Sequence, residues 1–139
     1  MPGVAAHEAL KTPAIPASLE PGTPVTAVHC AEEVWTARAR QHPDIAAHEA
    51  AIRTTIRDPD AVYDDRHSTA QRQPTLGREA AMRHYLGRSR IAGHPAALLT
   101  AVVMVLRDPA TGAEVGYVQT MYRTRRVLPR LQLRWSRQP

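Results

Sequence analysis

The chain has 139 residues, a formal charge of +5 and only six aromatic residues, none of them Phe, so it has room for one small domain with a thin aliphatic core and not for two. No stretch is apolar for long enough to read as a membrane span, and the N-terminus lacks the basic-then-apolar pattern of a signal peptide. No membrane association is therefore expected, and a cytoplasmic location is the default. The single cysteine, Cys30, excludes a disulfide framework within the chain.

Seventeen of the eighteen basic residues are Arg, and 23 residues are Ala, a usage typical of GC-rich coding. Codon usage accounts for Arg over Lys but not for where the charges fall. Residues 1 to 24 sum to −1, residues 25 to 65 to −4 and residues 66 to 139 to +10. An acidic N-terminal half facing a basic C-terminal half implies an anionic partner for the latter.

In chain order, residues 1 to 24 hold five prolines and are expected to form a flexible arm, leaving residues 25 to 139 as the single domain. Val25 to Val28 reads as an edge strand. Ala31 to Gln41 reads as a helix with Glu32 and Glu33 in its first turn, where they complement the dipole, and Pro43 closes it. A second helix is expected from Asp44 to Arg57, with Ile45, Ile52 and Ile56 at helical spacing and Asp58-Pro59 as its stop. Pro59 to Tyr63 reads as a short strand and Asp64 to Gly77 as a polar loop. Arg78 to Arg88 alternates, with Ala80, Met82, His84 and Leu86 on one face and Arg83, Tyr85 and Gly87 on the other. Leu98 to Leu106 is an almost continuous apolar run that suits a central strand. Asp108 to Gly112 is a turn, and Val115 to Tyr122 returns as its antiparallel partner. The remainder, Arg123 to Trp135, reads as a basic tail anchored by Val127, Leu128, Leu131, Leu133 and Trp135. The order predicts an α+β domain, with two N-terminal helices packed on one face of a three- to four-stranded antiparallel sheet.

No phosphate-binding glycine loop, G-x-S-x-G elbow, H-E-x-x-H or C-x-x-C motif is present. Cys30 beside His29 lacks further ligands at zinc spacing. Asp58, Asp60, Asp64 and Asp65 flank a turn and a strand end, where Asp serves as turn former or cap, and they do not read as a magnesium site. No cofactor or metal is expected.

Several short strings, in order, carry a family resemblance: Trp35 with Gln41-His42-Pro43-Asp44-Ile45, Ala51-Ile52-Arg53-Thr54-Thr55-Ile56 with Asp58-Pro59-Asp60, His84-Tyr85, Val102-Val103-Met104-Val105, Thr120-Met121-Tyr122-Arg123-Thr124 and Leu133-Arg134-Trp135. The chain resembles the phage-associated barnase/EndoU/colicin/RelE-like nuclease domains over residues 31 to 135. The resemblance implies an α+β nuclease-like fold, a phage- or toxin-derived origin and metal-independent cleavage of RNA by attack of a 2′-hydroxyl on phosphorus. RNA is then the expected partner, with an inhibitor protein as a second candidate. Where members carry a further His-Ile pair ahead of the His-Pro motif, this chain reads Arg38-Ala39, and Met121 replaces an alanine of the family's Thr-Ala-Tyr string.

Such chemistry needs a base, an acid and cations around the developing phosphorane. His42, His84, Thr120 and Tyr122 are the candidate catalytic groups, and Arg88, Arg125 and Tyr85 the candidate phosphate-binding groups. Two other functions stay open on the sequence: a catalytically inactive nucleic-acid-binding or regulatory module, and a protein-interaction domain.

Overall fold

A computed structural model describes residues 25–43, 47–69, 80–88, 91, 93, 96–107, 110 and 114–137; the Pro-rich arm 1–24 and residues 70–77 of the expected loop lie outside them. The elements run β1 (Val25–His29), α1 (Glu32–Gln41), α2 (Glu49–Arg57), β2 (Ala61–Asp64), β3 (Ala80–Arg88), β4 (Leu98–Arg107), β5 (Glu114–Thr124) and β6 (Gln132–Ser136), with a helical turn at 66–69 between β2 and β3.

The strands form one sheet of six in the order β1-β5-β4-β3-β2-β6. Every pairing is antiparallel except that of β1 with β5, which is parallel. This corrects the expected three- to four-stranded antiparallel sheet. Val25–His29 is the expected edge strand, and it is seated parallel to β5 beside Glu114–Tyr117. The supposed basic tail supplies β6, which pairs with β2 through Val62↔Trp135 and Tyr63↔Leu133. Neither pairing has a local signal. β1 meets a strand remote in the chain, and β6 is so short that the alternation of Leu133 and Trp135 with polar residues does not name its partner.

One face of the sheet holds the main core. Val62 and Tyr85 from β2 and β3, Leu99, Ala101, Val103 and Val105 from β4, and Val118 and Met121 from β5 pack with Ile52 and Ile56 of α2, with Trp35 of α1 and Trp135 of β6 at the margin. Ile52 and Ile56 are one helical turn apart, and each contributes about 2 kcal/mol on burial. α1 has no fully buried residue; it packs against β5 and owes its place to Trp35 and to charges matched to its dipole, Glu32 and Glu33 early and Arg38 and Arg40 late. On the same face, Arg83 is 3% exposed and donates to Glu114, also 3% exposed, at 3.2 Å. The buried charge of β3 thus meets an opposite charge on β5 across the intervening strand.

The opposite face carries a second, smaller cluster of Ala61, Leu86 and Leu98, covered in part by Tyr63 and Val127. It is this thinly covered face that leaves room for a cavity.

Gly116 lies on β5 beside Val28 of β1, and a Cβ there would stand 2.7 Å from Cγ1 of Val103 and 3.1 Å from Cγ2 of Val28. Gly116→Ala is therefore expected to cost about 2 kcal/mol, read as a lowered urea midpoint; an unchanged midpoint would show that this contact relaxes freely.

Candidate active site

A cavity of about 480 Å³ opens on the second face, lined by Arg38, Asp65, Ser68, Met82, His84, Val102, Gln119, Thr120, Tyr122, Leu128 and Arg130. Its walls come from α1, the end of β2 with the helical turn after it, β3, β4, β5 and the segment leading to β6. The alternation of β3 sends Met82 and His84 to this face and Tyr85 to the other. Thr120 and Tyr122, two apart on β5, share the cavity with them.

At its base is Asp65, 2% exposed. One carboxylate oxygen, Oδ1, accepts from the Ser68 backbone N–H at 3.1 Å. The other, Oδ2, receives the Ser68 hydroxyl at 2.9 Å, Nη2 of Arg130 at 3.0 Å and Nε2 of His84 at 3.2 Å. Asp65 thereby caps the turn at 66–69, the ordinary use of Asp before a helical segment. The turn is further tied down where Thr69 Oγ1 donates to the Asp65 carbonyl and accepts the Met82 N–H at 2.8 Å.

These contacts set the protonation states. Burial alone would raise the Asp65 pKa, but the hydrogen bonds from Arg130 and Ser68, with the Arg130 charge, together outweigh it and hold the group at about 2. Burial pushes His84 below its ordinary 6.5; the bond to Asp65 opposes this, and the Arg130 charge adds to it. His84 is thus neutral at pH 7. Since an ionised Asp65 only accepts, the neutral ring carries its proton on Nε2 and presents Nδ1 as a bare lone pair. Nδ1 is buried and has no hydrogen-bond partner among the described residues. Burial also raises the Tyr122 phenol, more than the Arg130 charge lowers it, so Tyr122 stays a donor.

Two cations complete the lining. Arg130 is half exposed, its guanidinium reaching in to the buried Asp65. Arg38 donates to Gln41 through Nη1, and its Nε is buried without a hydrogen-bond partner among the described residues.

Of the residues expected from sequence, His84, Thr120 and Tyr122 come together here. His42 does not: it ends α1, its backbone N–H bonded to the Arg38 carbonyl at 2.8 Å, and it is absent from the lining. Tyr85 is wholly buried in the main core on the other face. Arg88 is exposed at the end of β3, where its backbone N–H donates to Asp60 at 2.7 Å, and Arg125 is exposed beyond β5. Neither lines the cavity. Sequence reasoning missed Arg130, the pairing of Asp65 with His84, Ser68 and Gln119. The only signal among these was the acidic residue ahead of Ser68, which reads as a cap and no more.

Among the described residues, no three His, Cys, Asp or Glu side chains group as metal ligands, and no helix is long and apolar enough to cross a membrane. Protein-family models, curated proteins and solved structures yield no match to this chain. What the cavity does is therefore argued from its chemistry.

Asp65→Asn is expected to lower stability at pH 7 by about 2 kcal/mol, the worth of hydrogen bonds to a charged group. Unfolded Asp65 takes up a proton near 3.8 and the folded group only near 2, so its contribution is present above pH 4 and fades as the pH falls toward 2. His84, also lowered on folding, is easier to protonate unfolded and adds to the acid loss below its ordinary value of 6.5. The variant should accordingly show a shallower acid limb in denaturation midpoints between pH 4 and pH 2, where Asp65 titrates; an unchanged limb there would place the acid sensitivity elsewhere.

Proposed function

We propose that this domain cleaves RNA by transesterification in the cavity around His84. The observation that carries the reading is a buried histidine in contact with a buried carboxylate at 3.2 Å, in one cavity with two arginines, a threonine and a tyrosine. The resemblance to barnase/EndoU/colicin/RelE-like domains supports the same chemistry, since His84, Thr120 and Tyr122 all belong to the strings that carry it. Arg38, at the position where those domains carry a further histidine, lines the cavity as a cation instead.

In this reading His84 accepts the proton of a ribose 2′-hydroxyl at Nδ1 while Asp65 stabilises the imidazolium that forms. The 2′-oxygen bonds to phosphorus and the bond from phosphorus to the 5′-oxygen breaks, leaving a 2′,3′-cyclic phosphate. Tyr122, kept protonated by burial, supplies the proton to the departing 5′-oxygen. Arg38 and Arg130 face the charge that builds on the phosphoryl oxygens, and Thr120 donates a hydrogen bond there. Exposed Arg125 and Arg126 extend the basic character beyond the cavity, where flanking phosphates of a polynucleotide would pass.

A second reading, an anion-binding module without turnover, is favoured by one observation: His84 is 3% exposed and its Nδ1 is buried, so a substrate oxygen or a bridging water has to reach inward to it.

The purified protein is expected to cleave RNA in EDTA. His84→Ala should reduce kcat/KM by about 10²–10⁴-fold with the fold intact by circular dichroism, and a single 2′-deoxy substitution at the scissile position should block the reaction. His42→Ala, outside the lining, should cost less than about tenfold, because it removes no group that faces the proposed phosphate position. Salt-sensitive RNA binding by the wild type without any cleavage would reject the enzymatic reading in favour of the binding module.

A further inference from the structure

The pairing of β4 with β5 breaks at a single point. Val102 faces Thr120 and Val103 faces Val118, so Gln119 is the extra residue of a β-bulge. In an unbroken strand successive side chains point to opposite faces, and a residue next to Thr120 would be turned away from the cavity. Here Gln119 and Thr120 both line it. The bulge thus brings a third polar side chain of β5 into the cavity beside Thr120 and Tyr122, the kind of re-aiming that bulges perform beside active sites.

The Gln119 amide is also oriented. Its Nε2 donates to the Tyr117 carbonyl at 3.1 Å, and the flipped amide would set two oxygens against each other. Oε1 is left as a fixed acceptor that no described residue satisfies, in a cavity whose other walls include the apolar Met82, Val102 and Leu128. Arginine, threonine and tyrosine already provide donors for a phosphate, and a carbonyl oxygen would repel one. The group that suits an oriented acceptor between apolar side chains is flat and apolar on its faces, with an N–H at its edge.

Building on the ribonuclease reading, we infer that Gln119 is the nucleobase-reading residue of the site and selects bases that carry an amine rather than an oxygen at pyrimidine C4 or purine C6. Cytosine offers N4–H₂ and adenine N6–H₂ where uracil and hypoxanthine offer an oxygen, which Oε1 would repel. Gln119 touches no reacting atom in this assignment; it sets specificity by binding the base.

The test is calorimetric titration of the full chain with orthophosphate and with the 3′-monophosphates of cytidine, uridine, adenosine and inosine. Cytidine is expected to bind about tenfold more tightly than uridine, and adenosine than inosine, the worth of one hydrogen bond against an unpaired acceptor. Gln119→Met should bring both ratios close to one and leave orthophosphate binding unchanged. If orthophosphate binds and all four nucleotides bind alike to the wild type, the base assignment is overturned while the anion site stands. If neither orthophosphate nor any nucleotide binds, the ribonuclease reading falls and this inference with it. Should Gln119→Met fail to fold, the two wild-type ratios, which need no variant, decide the matter.

Discussion

The site rests on one oxygen atom. Asp65 Oδ2, buried at the end of β2, takes hydrogen bonds from the turn that follows it, from the middle of β3 and from the segment between β5 and β6. A buried carboxylate is costly unless it is paired and hydrogen-bonded, and this one offsets that cost by binding its own following turn and two parts of the chain distant in sequence, β3 and the segment before β6. The same bonds that satisfy Asp65 orient His84, hold Arg130 over the cavity and keep the carboxylate ionised far into the acid range. Structure and electrostatics at this point are one network, and removal of Asp65 leaves the buried Nε2 of His84 without its partner.

The rest of the fold keeps that network on a rigid base. β3 sits inside the sheet with neighbours on both sides, so His84 is fixed by two ladders and by the core beneath Tyr85. The ion pair of Arg83 with Glu114 ties β3 to β5 on the helix face, while the cavity joins the same two strands on the other. Arg130 is held differently, on a segment anchored at its far end by β6 and by Arg137, whose backbone N–H donates to the Asp60 carbonyl at 2.8 Å and whose guanidinium pairs with Asp58 and Asp60. In the proposed reaction, a half-exposed cation on a short tether would turn from the carboxylate to an incoming phosphate. The polarised charge of the sequence takes on a place in this arrangement: the basic half supplies Arg130 to the cavity and Arg125 and Arg126 to its surroundings, while the acidic half supplies Asp65 beneath.

What could be read in the sequence follows from the range of the forces involved. The apolar run of β4, the isoleucines of α2 and the alternation that separates His84 from Tyr85 are local, and all were legible. α2 begins at Glu49, later than the spacing from Asp44 suggested. The parallel seating of β1 and the capture of β6 depend on contacts between remote segments; the alternation of Leu133 and Trp135 with polar neighbours in Gln132–Ser136 fits a strand but does not say what it pairs with. The same division runs through the site. Thr120 and Tyr122 were visible as a strand pair. Asp65 was visible as a cap, and it is one, but its bond to His84 and its hold on Arg130 are tertiary. Arg38 stood out only as a departure from a family pattern, and Gln119 depends on a bulge that leaves no mark in the order of residues. Arg88 and Arg125 had the right charge without the right position, which charge alone does not determine.

The proposed chemistry depends on ionised Asp65 fixing the proton of neutral His84 on Nε2 and leaving Nδ1 as the basic atom. Long-range ¹H–¹⁵N correlation spectra of the imidazole rings at pH 7 test this directly. For His84 they should show one pyrrole-type nitrogen at Nε2 and one pyridine-type nitrogen at Nδ1, a pattern that blurs toward mixed tautomers in Asp65→Asn. A doubly protonated His84 at that pH, or a neutral ring with its proton on Nδ1, would contradict the account.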